Sequence, residues 1–116
     1  MGISPRKKVG IYLTETDLQN NIRKELSKHG VVLRRQCGKF LTPGGKRVVS
    51  IGVPGESDLE FIGDGFTAFI EVKLPGGRVS PEQERFLNRM RKLNHRAGVA
   101  YSVEDALKII KSEEKL

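Results

Sequence analysis

Residues 52–83, Gly52-Val-Pro-Gly-Glu-Ser-Asp-Leu-Glu-Phe-Ile-Gly-Asp-Gly-Phe-Thr-Ala-Phe-Ile-Glu-Val-Lys-Leu-Pro-Gly-Gly-Arg-Val-Ser-Pro-Glu-Gln83, decide the fold. Leu59–Ile62 and Phe66–Val72 are rich in aromatic and β-branched residues and read as strands. Asp64-Gly65 between them suits a two-residue primed hairpin turn. With those two residues as the turn, Gly63 pairs with Phe66, Leu59 with Ile70, and Asp58 falls opposite Glu71. Directly opposed side chains on one sheet face have Cβ atoms roughly 4.5–5.5 Å apart, and like charges there repel. Two carboxylates aimed at one point make sense around a cation, and a divalent metal taking hard oxygen ligands is the natural one. Lys73 lies on the same face because strand side chains alternate. Leu59, Phe61, Ala68, Ile70 and Val72 share the opposite face and form an expected core. The competing reading is a solvated hairpin face with an ordinary cross-strand Glu56–Lys73 pair.

The flanking segments complete a small mixed fold. Thr14 offers an N-cap, with Glu15 and Asp17 in the first turn of a helix running to about His29 and closed by Gly30. Leu18, Ile22 and Leu26 form its apolar stripe. At 100° per residue, Glu15 lies within about 20° of both Ile22 and Leu26, with Gln19 about 40° away. Glu15 is therefore either a first-turn carboxylate reaching water or a group pointed into a site. Val31–Cys37 and Arg47–Ile51 read as strands joined by a basic connection, Gly38–Lys46. Ser80-Pro81-Glu82-Gln83 is a strong helix start, with Ser as N-cap, Pro at N1 and Gln at N3. Gln83 also aligns with Leu87 and Met90, so it serves as capping-box partner or faces inward; one side chain is not expected to fill both roles. Arg85, Arg89, Arg91, Lys92 and Arg96 are read as decorating this helix. Val99–Ser102 makes a last strand and Val103–Lys111 a last helix. The order is α-β-β-β-β-α-β-α, an α/β fold (α+β-like) with a mixed sheet flanked by helices.

Composition bounds the partners. A chain of 116 residues has room for one core, expected over residues 14–111 between a flexible basic arm (1–13) and a frayed tail (112–116). Its 21 Lys and Arg against 14 Asp and Glu leave a net charge of +7, which favours a polyanion such as nucleic acid. Lys39, Lys46, Arg47, Arg78, Arg85 and Arg89 are the candidate phosphate contacts, against the alternative of plain surface charge. The single cysteine, Cys37, permits no internal disulfide and suits a reducing cytoplasm. No apolar run is long enough to span a membrane, and no signal peptide is visible. His29 and His95 are isolated, so no zinc constellation is present. The absence of Trp and an aromatic content of 6% argue against a stacking platform for single strands.

The set Gly52-x-Pro54-Gly55-x-x-Asp58, Glu71-Val72-Lys73 and Ser80-Pro81-x-Gln83 resembles the virus-type replication-repair nuclease (VRR-NUC) domain of the PD-(D/E)xK nuclease superfamily, in its small stand-alone form. The resemblance extends from about Thr14 to Ile110. It implies a restriction-endonuclease-like core and a Mg²⁺- or Mn²⁺-dependent DNA endonuclease. Asp58, Glu71 and the Val72 backbone carbonyl would be metal ligands, with Glu15 binding directly or through water. Lys73 would orient the attacking water and Gln83 would lie beside the site. Stand-alone members resemble Holliday-junction resolvases working as homodimers, which implies four-way-junction DNA as substrate and no organic cofactor. The rivals are a non-catalytic basic nucleic-acid-binding protein on the same fold, a less structure-selective nicking nuclease, and a structural subunit of a phage or mobile-element particle.

Overall fold

The computed structural model describes residues 14–35, 38–41, 43–45 and 47–111. The expected arm and tail, together with Cys37 and Lys46, lie outside them. Three helices and six strands follow in the order α1 (Glu15–Leu26), β1 (Val31–Arg34), β2 (Gly38–Leu41), β3 (Val48–Ile51), β4 (Leu59–Ile62), β5 (Thr67–Val72), α2 (Pro81–Lys92), β6 (Arg96–Ala100) and α3 (Val103–Ile110). This is the expected order with one strand more. The first strand stops at Arg34, and Gly38–Leu41, expected to be connection, pairs antiparallel with β3 as a separate two-stranded ribbon.

The main sheet has the order β1-β4-β5-β6. Its first three strands are antiparallel neighbours, whereas β6 runs parallel to β5. A parallel pair needs a crossover, and α2 supplies it. The hairpin register is the expected one: Leu59 faces Ile70, Phe61 faces Ala68, and the Gly63 N–H donates to the Phe66 carbonyl at 2.9 Å. The turn itself is of a different type. Of its two central residues only Gly65 has a positive φ, +84°, which is the type II pattern rather than the primed one. The strand pairing on either side fixes the register regardless.

Alternation on β5 sends Ala68, Ile70 and Val72 to one face and Phe69, Glu71 and Lys73 to the other. The first set joins Leu18, Ile22 and Leu26 of α1 and Ala106 and Ile110 of α3 in the core, with Leu59 and Phe61 from β4. Each fully buried side chain of this size contributes about 1.5–3 kcal/mol. The other face, expected to be polar, is also covered. Phe69 meets Phe86 of α2 edge-on, with ring centroids 5.6 Å apart, and Leu87 is buried beside them. β5 is thus sandwiched between helices, and a charge on either face of it is shielded from water.

Local signals set the helix ends. Thr14 caps α1 by accepting from the Asp17 N–H at 3.1 Å, and Ser102 caps α3 by accepting from the Asp105 N–H at 3.0 Å. α1 ends at Leu26, three residues short of His29, because Ser27–His29 turn the chain towards β1. α2 ends at Lys92, so Arg96 stands on β6 rather than on the helix. β6 correspondingly begins three residues before Val99, the expected start.

The Gly52–Gly55 loop is fitted against the start of α2. Gly55 has φ +78°, and a Cβ there would run into the Glu82 carbonyl and sit 2.8 Å from the Gln83 nitrogen. Gly65 has a similar φ of +84° but open space around it. Gly65→Ala should therefore cost only the left-handed backbone penalty, about 1–2 kcal/mol. Gly55→Ala adds overpacking and should cost about 4 kcal/mol. Urea unfolding of the two variants measures the difference; equal losses would mean that the loop does not press on α2.

Candidate active site

The site is built where the C-terminal end of β5 meets the residue that precedes β4 and the first turn of α2. Asp58 is held from two directions. Its carbonyl accepts from the Arg35 N–H at 2.9 Å, extending the β1–β4 ladder, and its Oδ2 accepts from the Val72 N–H at 2.8 Å. The residue is half-buried and stands in register with Glu71, as the strand pairing requires.

Glu71 is only 2% exposed. Its Oε2 accepts from the Gln83 Nε2 at 2.9 Å and lies 3.9 Å from the Lys73 Nζ. Its Oε1 is buried and has no hydrogen-bond partner. A carboxylate so placed resists ionisation. Burial pushes the Glu71 carboxyl up to about 8, the Asp58 charge adds to the rise, and Lys73 opposes it only in part. Burial likewise raises Asp58 above the ordinary carboxylate range, against the Val72 hydrogen bond that lowers it. The two acids thus stand close enough to share a proton held on Glu71 as a hydrogen bond to Asp58, and their charges conflict once both ionise, as their register leads one to expect.

Gln83 fills both roles that seemed exclusive. Its Oε1 accepts from the Ser80 N–H at 2.8 Å, and its own backbone N–H donates to the Ser80 Oγ at 3.1 Å, closing the capping box. Its NH₂ end is left to donate to Glu71. An amide has an acceptor end and a donor end, and here each has its own task. The pairing of Glu56 with Lys73 does not form. Glu56 accepts from Arg35 and from the Val53 N–H at 3.0 Å, while Arg35 also reaches Glu60. This network latches the Gly52–Gly55 loop to the start of β4 and frees Lys73 for Glu71. Arg35 gave no sequence signal, since its partners lie 21 and 25 residues away.

Glu15 stands in the first turn of α1, exposed, with its charge acting on both Asp58 and Glu71. It does not complete a cluster: among the described residues no three His, Cys, Asp or Glu side chains stand close enough to share one ion. Direct ligation by Glu15 is therefore not seen. One turn on, Gln19 has the other buried, partnerless side-chain atom of the described residues, its Oε1. The Val72 side chain is fully buried in the core, so anything it offers the site comes from its backbone.

The candidate DNA contacts are dispersed. Arg78, Arg85 and Arg89 are exposed, the latter two on α2 beside Val53 and Pro54, where they line a hollow of about 220 Å³. Arg47 is exposed just before β3, and Lys39 belongs to β2, its side chain lying outside the described residues.

The residues that remain fit a hard divalent cation. Buried oxygen donors in mutual repulsion, one of them an acceptor without a donor, are relieved by a cation, and Mg²⁺ commonly uses one or two carboxylates while keeping several waters. No curated protein matches the chain. The family model described as the VRR-NUC domain matches residues 48–104, a span running from β3 into α3 that contains Asp58, Glu71, Lys73 and Gln83 but not Glu15. By this match residues 48–104 carry a VRR-NUC domain, which implies a nuclease-type function with DNA as substrate.

Proposed function

We propose that the protein is a Mg²⁺- or Mn²⁺-dependent DNA endonuclease that cuts branched DNA of the four-way-junction type as a homodimer in the cytoplasm. The observation that carries the metal dependence is the opposition of Asp58 and Glu71 with the Glu71 Oε1 left without a partner. Asp58, Glu71 and the Val72 carbonyl would hold the ion, with Glu15 reaching it through water. When bound, the ion supplies Lewis-acid stabilisation of the charge that builds on phosphorus and lowers the pKa of a water nucleophile.

The protein groups do the rest. Gln83 donates to one oxygen of Glu71 and so turns the other, Oε1, towards the ligand position; hydrogen-bonded partners of this kind orient ligating carboxylates. Lys73 presents its ammonium beside Glu71, where it orients the attacking water and stabilises the negative charge developing on the phosphate. Water attacks phosphorus in line and releases a proton to solvent, the bond to the leaving oxygen breaks, and that oxygen takes up a proton from solvent. Glu71 is itself buried, on the β5 face that Phe69 shares, which strengthens each of these interactions. Each chain offers one such pair of carboxylates, and two symmetric cuts require two of them, related by a two-fold axis.

The decisive experiment incubates the protein with junction, flap, duplex and single-stranded DNA, with and without Mg²⁺ or Mn²⁺, and sediments it at the same concentration. Metal-dependent cutting that favours the junction, by a dimer, is the expected result, and Asp58→Asn should abolish it while DNA binding persists. Equal cutting of all substrates by a monomer would leave a simple nicking nuclease, and binding without cutting a non-catalytic protein.

The raised pKa of Glu71 makes a prediction about stability. Its folded value, about 8, exceeds the value of 4.5 that it starts from. The contribution of this group to stability is therefore full below about pH 4.5 and is lost as pH rises through 8. In EDTA, Glu71→Gln should remove that loss and be more stable than the native protein at pH 8. Saturating Mn²⁺ should reverse the order, because only the native site gains binding energy. Thermal melts at several pH values with each additive measure both effects; a variant less stable than the native protein in EDTA would refute the conflict between the two carboxylates.

Gln83 separates capping from catalysis. Glutamate at N3 serves the capping box as well as glutamine but cannot donate to Glu71. Gln83→Glu should retain α2, by circular dichroism, yet lose about 10–100-fold in activity, as Gln83→Ala does. Full activity in the glutamate variant alone would reduce Gln83 to a helix cap.

A further inference from the structure

We propose that the hollow at the far end of α2, bounded by the start of β6 and the last turn of α3, is an anchor for a backbone phosphate of the bound DNA, several nucleotides from the one being cut. The proposal rests on the reading of the chain as a nuclease acting on DNA. The hollow measures about 600 Å³ and is lined by Arg91, Asn94, His95, Arg96 and Lys108, with Ala97 and Ile109 behind them. No carboxylate lines it.

Two of its cations are fixed in advance. Arg91 donates from Nε to the Ala97 carbonyl at 3.1 Å and from Nη1 to the Asn88 Oδ1 at 2.7 Å. Arg96 donates from Nη1 to the Ile110 carbonyl and stacks over Phe66, 3.7 Å from the ring centroid. A guanidinium has five N–H donors, so each keeps several in reserve while its position is held. Asn94, at φ +72°, makes the left-handed turn that brings His95 and Arg96 back beside Arg91. The C-termini of α2 and α3 converge here, and their partial negative charge accounts for the two arginines that reach carbonyls. It does not account for Lys108, which is exposed and has no ion pair or hydrogen bond among the described residues. Lys108 thus adds a positive charge beside two arginines that still hold free donors, a combination that attracts an anion.

The position suits the DNA strand. Arg91 follows Gln83 by eight residues of helix, about 12 Å at 1.5 Å per residue. The sheet gives a similar figure: Val99 is level with Glu71 and Arg96 with Ala68, three residues or about 10 Å apart. Both distances equal about three to four base steps of 3.4 Å. Arg85 and Arg89 are exposed on α2 at levels between the two.

The test uses the full chain and a labelled junction in Ca²⁺, with binding followed by anisotropy across a salt series. Lys108→Ala should weaken binding about eightfold at 0.1 M salt and make the slope of log K against log salt about 0.9 shallower, the contribution of one phosphate. Lys108→Arg should restore both, and the melting temperature should not move. Methylphosphonate scanning should find one position, three or four steps from the cut, where a neutral linkage weakens native binding more than that of Lys108→Ala. Native binding with an unchanged slope in Lys108→Ala, or a flat methylphosphonate profile, overturns the anchor and leaves the nuclease reading intact. No binding of DNA by the native protein overturns both.

Discussion

Two carboxylates on neighbouring strands, held in register where they repel, are the constraint around which this molecule is arranged. The hairpin alone would relax by turning Asp58 or Glu71 outwards. It does not, because the Val72 N–H holds the Asp58 carboxylate from one side and Gln83 holds Glu71 from the other. Packing of Phe86 and Leu87 over the same face closes the route to solvent. The conflict is therefore set by the β4–β5 register and maintained by α2. On the proposed reading a bound cation would remove it, and the same forces that strain the metal-free protein would become the affinity of the site.

The part of this arrangement that depends on short-range chemistry was legible in the sequence. Gly65 next to Asp64 places the hairpin turn, alternation on Leu59–Ile62 and Phe66–Val72 places the core, and together they put Asp58 against Glu71. The turn proved to be a different type, yet the register survived, because it depends on the length of the turn more than on its dihedral angles. The Ser80-Pro81-x-Gln83 helix start was equally plain. What was hidden depends on partners distant in the chain. Nothing near Arg35 announces that it bridges Glu56 and Glu60, and without that bridge Glu56 looked free to pair with Lys73. β2 was missed because a four-residue strand in a basic, Gly-rich stretch is visible only through its partner β3. Arg96 was assigned to the helix because basic residues continue past Lys92, whereas Asn94 is what turns the chain.

Gln83 shows how one residue can satisfy local and distant demands together. The capping box needs an acceptor at N3, and the site needs a donor near Glu71. Carboxylate at this position would satisfy the first and worsen the second by adding a third negative charge. Alanine would satisfy neither. Glutamine alone among the usual N3 residues presents both ends, and Gly55 pressing on the Glu82 carbonyl fixes where the helix begins. The placement of an amide group at the site thus follows from a glycine 28 residues earlier in the chain.

The parallel connection from β5 through α2 to β6 has a further consequence. A crossover helix runs antiparallel to the strands it joins, so its N-terminus sits at the C-terminal end of β5 and its C-terminus at the start of β6. The carboxylate pair occupies the first of these ends and the cationic hollow the second, with α2, about 18 Å long at 1.5 Å per residue, as the bar between them. Polarity of charge follows from this. Carboxylates that need a cation are supported by an amide from the helix start, while arginines are supported by carbonyls exposed at the helix end. If the proposed reading and the proposed anchor both hold, a phosphodiester backbone lying along α2 would meet the carboxylate pair at one end and the arginines at the other. The length of a single helix would then set how many nucleotides separate the two.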